Sequence, residues 1–400
     1  MDIRRLTLRI PGLWEDAWLY RENLLVWDRR GQLFYVPIHT LWRRVEQARD
    51  HHHAVLADHL VFRSERKSSH EFQGLLAIPS VKREFVAPLT MTAEVIVEID
   101  ASDFRQASIE ATPGNLTDTV AYGNRLFTTS DAGVFETQFD ARYDEGSPLL
   151  QVHSAPATAI VAGNGQFAVS LGEVGLLSRE VGFGDGYGWI DSAQEAILET
   201  LAPYSRHVTR SSVHLVNYGE SPIPDFIRAT THIERRPNGF TENIITEFSE
   251  PASLDESLRQ VVGQDITSDE VRSGEAFDVL GNANYRLLIQ IGNEVSVLNM
   301  LATRDRPLRV NPYRRIDVSN ETPRTLNQAL STQALRSGFL VEHVGGVHVL
   351  GDSGVIELAN ELVVQARTFP ASRRYVDTVV LVREGSLDLV GFIDLDGTGV

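Results

Sequence analysis

The chain of 400 residues contains no cysteine. That excludes disulfide staples, Cys-ligated zinc or iron–sulfur sites and a cysteine nucleophile. Lysine is nearly absent as well. Lys67 and Lys82 are the only two, so arginine carries almost all of the positive charge, a bias that fits a GC-rich genome. Long apolar runs are missing: no stretch approaches the roughly 18–20 residues of a membrane helix, and no membrane partner is expected. The opening Met1-Asp2-Ile3-Arg4-Arg5-Leu6-Thr7 lacks the apolar core of a secretory signal. The expected location is therefore cytoplasmic. With 42% hydrophobic residues, the composition is too apolar for a disordered chain.

Acidic residues number 54 against 37 basic ones, for a formal net charge of -17. Such a surface repels phosphate backbones, so nucleic acid is not an expected partner. The densest basic stretch, Arg63, Arg66, Lys67, Lys82 and Arg83, is broken by Glu65 and Glu71 and reads as a solvated loop. Glycine and proline are spread along the chain without a linker-like cluster. A single domain over 1–400 is the expectation.

One pattern recurs: an apolar strand, a tight turn with Asn or Gly, a second strand, an Asp/Gly turn and a third strand. Copies run over Trp18–Val36, Val120–Glu136, Ala159–Ser170 and Leu340–Glu357. Weaker ones lie at Ser212–Val216 with Phe226–Ile233, and at Tyr285–Ile291 with Val295–Leu301. The last strands are Thr378–Val382 and Ser386–Ile393. Gly and Asn supply the positive φ of tight hairpins, and Val, Ile, Phe and Thr suit a pleated, half-buried surface. Asn124 and Asn164 are about 40 residues apart, the length of one four-stranded blade.

With Trp27-Asp28, Asp131-Ala132-Gly133 and Asp352-Ser353-Gly354 as strand-end turns, this spacing resembles the WD40-like β-propeller superfamily. The resemblance covers about two thirds of the chain. It implies architecture alone: mainly β, six or seven irregular blades. Only one Trp-Asp dipeptide is present, and no Gly-His partner stands where a WD blade has one. The alternative architecture is α+β with two packed β domains. Helical insertions are predicted near 39–62, 191–201, 253–262 and 322–337, from capping and periodicity signals such as Ser192 with Glu195 and Thr322-Pro323 before Gly338. Strand Arg4–Ile10 is predicted to pair beside Thr378–Ile393, so that one terminus completes the blade begun by the other and no sheet edge is left open.

Candidate chemistry is thin. Asp394-Leu395-Asp396-Gly397-Thr398 resembles the nucleophile motif of haloacid-dehalogenase-type phosphatases, but Val400 follows two residues later, without the rest of that site. A calcium loop would need a later acidic ligand. His51, His52, His53 and His59 lie on a predicted helix at spacings that do not converge on one metal. The loop Gly182–Trp189 lacks the Lys of a P-loop, and no Gly-x-Ser-x-Gly elbow is present. His343 and His348 flank the Gly345-Gly346 turn, where a buried, hydrogen-bonded histidine is expected. No catalytic residue, cofactor or metal is assigned.

These observations favour a non-catalytic protein-binding scaffold or adaptor, a subunit of a prokaryotic multi-protein complex with another protein as partner. Trp14, Trp18, Tyr187, Trp189 and Tyr218 are the candidate partner-binding aromatics, while Trp27, mid-strand, is expected in the core. Two alternatives are a hydrolase or lyase with its site in the central propeller channel, and a structural subunit of a larger particle.

Overall fold

The computed structural model describes residues 3–89, 92–163, 165–181, 199–211, 214–221, 223–235, 241–248, 277–283, 285–291, 294–301, 309–316, 329–351, 354–370 and 372–394. Seven sheets, antiparallel except for one parallel edge strand, follow one another along these residues, and the fold is a seven-bladed β-propeller. Blade 1 holds Trp14–Tyr20, Asn23–Asp28, Leu33–Pro37 and Arg105–Gln106. Blade 2 begins at Leu116–Tyr122, blade 3 at Ala159–Gly163, blade 4 at His207–Arg210, blade 5 at Asp278–Ala283 and blade 6 at Ala329–Leu335.

Blade 7 contains both ends of the described chain. Its strands are Gln365–Thr368, Val379–Arg383 and Ser386–Asp394, continued by Ile3–Pro11. Ile3–Pro11 lies antiparallel to Ser386–Asp394, with Ile3 opposite Asp394 and Pro11 opposite Ser386. This is the pairing predicted for the two terminal strands. Glu94–Glu98 then adds in parallel to Ile3–Pro11 as a fifth strand, covering an edge that would otherwise be open to another chain. Leu6, Leu8 and Ile10 are fully buried there.

The turn residues act as their types require. Gly123 and Asn124 adopt φ of 60° and 65° in the first hairpin of blade 2, the left-handed conformation of a two-residue hairpin loop. Asp28 Oδ1 accepts the backbone N–H groups of Arg30 and Gln32, both at 2.9 Å, and so closes the turn after Trp27, which is buried. Asp131 Oδ1 likewise accepts from Asn115 at 2.8 Å.

Contacts divide the chain into two compact units, residues 1–107 with 316–400 and residues 108–315. The first unit has one large apolar core that joins blade 1, blade 7 and a helical insertion. That insertion holds α1 (Ile38–Ala48), α2 (His51–Ala57), α3 (His70–Leu76) and α4 (Pro79–Val86), with shorter turns between them. It runs on to Leu89, well past residue 62. Asp50 and Ser69 cap α2 and α3 through their side chains, and Pro79 opens α4.

One of the predicted helices is corrected, and another is overturned over its last three residues. The 191–201 helix overlaps a strand at Glu199–Ala202 that pairs with Leu176–Glu180; residues 191–198 lie outside the described residues, as does 253–262. The 322–337 helix gives way to strand Ala329–Leu335, with 322–328 again outside. Its Ala, Leu and Gln residues favour helix intrinsically, but the ladder to Gly338–His343 satisfies the same backbone groups. It also buries Ala334 and Leu335, and burial outweighs a propensity difference of about 0.5 kcal/mol per residue.

Candidate functional site

In unit 1, one end of blades 6, 7 and 1 collects exposed aliphatic side chains. Register fixes the placement. In blade 6, Ala329 stands opposite His343, His343 opposite Gly346, and Val347 opposite Ala359. The start of the first strand, the Val344-Gly345 turn and the exit at Ala359 therefore share one end. The linker Asn360–Val364 continues from that exit into blade 7, where Gln365 faces Val382. Pro11 and Ser386 meet at the same end, and the chain passes through Gly12-Leu13 into blade 1. Leu330 is 57% exposed, Val344 52%, Leu362 58%, Val364 38% and Leu13 59%. These five aliphatic side chains stand at the same end of their blades.

The local backbone explains why these side chains face out. The ladder register shifts between Ala329 and Ser331, so Leu330 is a bulge residue without a cross-strand partner. Gly12 has φ +154°, and a Cβ there would lie 2.4 Å from the Trp14 indole. Trp14 thus folds back over the glycine and leaves Leu13 outside. Gly12 also donates its N–H to Gly385 O at 3.1 Å, and Val364 donates to Val382 O at 2.8 Å.

Beneath the apolar side chains lies a polar frame. Arg383 donates to Glu361 Oε1 at 2.8 Å, to Leu358 O at 3.2 Å and to Asp388 Oδ2 at 2.9 Å. Arg9 completes the Asp388 site with two bonds of 2.8 Å. The Val344 turn rests on a buried histidine pair. Gly345 N–H donates to His343 Nδ1 at 3.0 Å, and His343 Nε2 lies 2.7 Å from His348 Nδ1. An amide N–H can only donate, so His343 Nδ1 is an acceptor, Nε2 carries the proton, and His348 Nδ1 accepts it. His348 Nε2 then carries its own proton and faces the exposed Glu357 carboxylate at 3.8 Å. Burial holds both imidazoles below their usual pKa. The single buried histidine expected here is a bonded pair.

Trp14, Trp18 and Tyr218 are each packed against neighbouring side chains. Trp14 is buried, stacked on Phe104 at 5.4 Å and edge-on to Phe34 at 6.0 Å. Trp18 is half-buried on the same strand, with the Arg367 guanidinium 4.5 Å above its ring and Phe369 edge-on at 5.4 Å. Tyr218 belongs to the other unit; its hydroxyl donates to Asn282 Oδ1 at 3.1 Å, and burial pushes the phenol well above its usual pKa. Tyr187 and Trp189 lie outside the described residues, as do Leu395–Val400. The aliphatic residues of the blade ends escaped sequence reasoning because they lie far apart in sequence, and no local pattern tells an exposed aliphatic side chain from a buried one.

The other constellations are structural. His51 pairs with Glu46 and His53 with Asp50, each at 2.8 Å, while His59 packs between Phe72 and Phe85. Among the described residues, no group of three or more His, Asp or Glu side chains is placed to hold a metal. The basic stretch is not a solvated loop. Arg63 and Arg66 pair with Asp58 at 3.0 and 3.3 Å. Lys67 is buried, 3.1 Å from Phe392 O, 3.7 Å from Asp377 and 4.5 Å from the Phe392 ring centroid. It locks the helical insertion onto blade 7.

No protein-family model matches the sequence, and no curated protein matches it. Similar solved structures exist. The β-propeller domain of Cps50 (Swd1) from Myceliophteria thermophila is 10% identical, with 95% of this chain and 96% of that one covered and a TM-score of 0.49. The WD40 domain of Neurospora crassa Pan2 is 10% identical, with 95% and 89% covered and a TM-score of 0.40. The extracellular domain of the putative hybrid two-component system BT4673 from B. thetaiotaomicron is 9% identical, with 94% of this chain but 40% of that one covered, at a TM-score of 0.46.

Proposed function

We propose that the protein is a non-catalytic protein-binding scaffold, an adaptor subunit of a multi-protein complex, whose partner docks on the apolar end of blades 6, 7 and 1. The observation that carries this reading is the set Leu13, Leu330, Val344, Leu362 and Val364, each exposed at the same end of these blades. Loops held by a rigid sheet are where such folds place binding residues, and the Arg383–Asp388–Arg9 network fixes these loops to blade 7. Arg29 and Arg30, exposed in the turn between two strands of blade 1, and the exposed Glu361 and Glu384 stand at the same end and add charge of both signs. An apolar centre with a polar rim is the anatomy of a protein–protein contact.

The test is an affinity pull-down from the native host, with gel-filtration mass in parallel. A stoichiometric partner is expected with the unaltered chain and is expected to be lost with Leu330→Asp combined with Leu362→Asp. Both positions are exposed, so circular dichroism stays unchanged. The aromatic pair Tyr187 and Trp189 forms a second arm, as Tyr187→Ala with Trp189→Ala. Retention of the partner by the Leu330/Leu362 variant sinks the proposed surface. A monomer with no partner sinks the scaffold reading itself.

A further inference from the structure

Within unit 2, the end of the first strand of blade 3 faces the end of the first strand of blade 4. A Cβ on Gly163 would lie 3.0 Å from Arg210 Nε and 3.1 Å from its Cδ. The bare glycine is what lets the arginine side chain lie against the backbone of blade 3. Gln166 stands directly opposite Gly163 in the ladder. Paired residues project on the same face with Cβ positions about 5 Å apart, so Gln166 shares this face with Arg210. Phe167, the next residue, turns to the other face and packs on Phe127 at 4.8 Å.

Arg210 and Gln166 are both short of partners. Arg210 is half-buried, its Nη1 is buried without a hydrogen bond, and among the described residues no carboxylate pairs with it. Loss of water pulls the guanidinium down to about 10, with Tyr122 the neighbour that opposes this. Gln166 is 1% exposed, and both its Oε1 and its Nε2 lack a partner. The Tyr122 hydroxyl accepts from Gly165 N–H at 2.8 Å on the adjoining hairpin. Buried polar groups are nearly always bonded, and a desolvated cation without an anion is costly. Two such groups share one sheet face, beside a glycine that makes room for the cation.

We infer that Arg210 and Gln166 bind a small oxyanion that also carries a hydroxyl, of which hydrogen phosphate is the simplest. The guanidinium supplies positive charge and a planar fork of donors suited to such an anion. Gln166 Nε2 donates to a second ligand oxygen. Gln166 Oε1 needs a donor, and the ligand O–H provides one. That last contact separates hydrogen phosphate from sulfate, which at neutral pH offers acceptors alone.

Calorimetric titration of the full chain with inorganic phosphate at pH 7 tests this, with sulfate at matched ionic strength as the second probe. One saturable site for phosphate is expected, with sulfate about tenfold weaker for want of one hydrogen bond. Arg210→Gln abolishes phosphate binding. Gln166→Met, similar in length but without the amide, removes two hydrogen bonds to phosphate and one to sulfate, so it weakens phosphate about a hundredfold and sulfate about tenfold and erases the preference between them. Arg142→Gln, at an exposed arginine of blade 2, changes nothing. Absence of a saturable phosphate heat, equal affinity for sulfate, or undiminished binding by Arg210→Gln overturns the proposal. If Arg210→Gln does not fold, the phosphate–sulfate comparison on the unaltered chain and Gln166→Met decide it.

Discussion

Arg367 and Arg210 each stand on the first strand of a blade, one in each unit, and both have lost much of their water. Arg367 is held by Asp16, with Nε 3.0 Å from Oδ1 and Nη2 2.5 Å from Oδ2, and its guanidinium lies over the Trp18 ring. Asp16 also accepts from its neighbour Ala17 N–H at 2.7 Å, so the acid is saturated. Arg210 has a glycine beside it and a glutamine on the same sheet face, and among the described residues no acid pairs with it. The same residue type in the same kind of strand is thus a tie between blades in one unit and an open cation in the other. What separates them is whether the neighbouring strand presents a carboxylate or leaves space.

The largest expected effect follows from breaking the closed pair. Asp16→Ala strands a buried guanidinium, which costs about 3–5 kcal/mol, measured as a shift of the urea unfolding midpoint at constant slope. Replacing both partners, Asp16→Leu with Arg367→Met, recovers most of that loss, because the paired charges themselves contribute little once the desolvation of each is removed. A loss under about 1 kcal/mol for Asp16→Ala would show that the pair is solvated and that the contrast with Arg210 is empty.

A smaller effect is expected at the histidine pair of blade 6, where buried groups are closed without a formal charge. Both imidazoles have pKa values lowered by burial in the folded state, against about 6.5 when unfolded. An added proton would have to replace the Gly345 or the His343 hydrogen bond with two facing donors. The charged groups nearby are Glu357 on the adjacent strand, which favours protonation, and Arg5 of the terminal strand, which donates to Glu357 O. Folded pKa values below the unfolded one mean that the unfolded chain takes up protons first. The contribution is fully present above about pH 6.5 and is lost as pH falls below it. His348→Asn keeps an acceptor for His343 Nε2 and removes one titrating ring. It is expected to flatten the fall of thermal midpoint between about pH 7 and 5.5; an unchanged slope would assign that fall to carboxylates instead.

Sequence reasoning reached the elements that local chemistry specifies. Gly123-Asn124 and the Asp28 turn could be read because positive φ and Asx bonding belong to those residue types. Pairing of the two terminal strands could be read because an open edge has to be covered. The strand at Ala329–Leu335 could not, since its residues favour helix and only the ladder to Gly338–His343 decides otherwise. Helices α3 and α4 carry ordinary signals, a Ser69 cap and Pro79 at the first turn, that stand past the first helical run. Trp14 and Trp18 could not be told from surface aromatics without knowing that Gly12 and Arg367 meet them. The apolar end and the Arg210 face are harder still. Each is defined by residues far apart in sequence, and the second by the absence of a pairing acid, which no local pattern records.

The smallest expected effect is the one that sharpens the comparison most. In phosphate-free buffer, Arg210→Met removes a desolvated charge that no acid holds, and its aliphatic chain still fills the space beside Gly163. Stability is expected to stay level or rise by about 1 kcal/mol, since replacing a buried charge by an apolar side chain of similar volume is often neutral or favourable. In phosphate at a hundred times its dissociation constant, the unaltered chain gains about 2.7 kcal/mol by mass action and the variant gains nothing. The order of the two proteins therefore inverts between the buffers. Arg367→Met shows no such inversion, because it leaves Asp16 buried without its partner in both. A variant at Arg210 that is destabilised equally in the two buffers would mean that the arginine packs rather than binds, and the two arginines would then differ only in the partner that holds them.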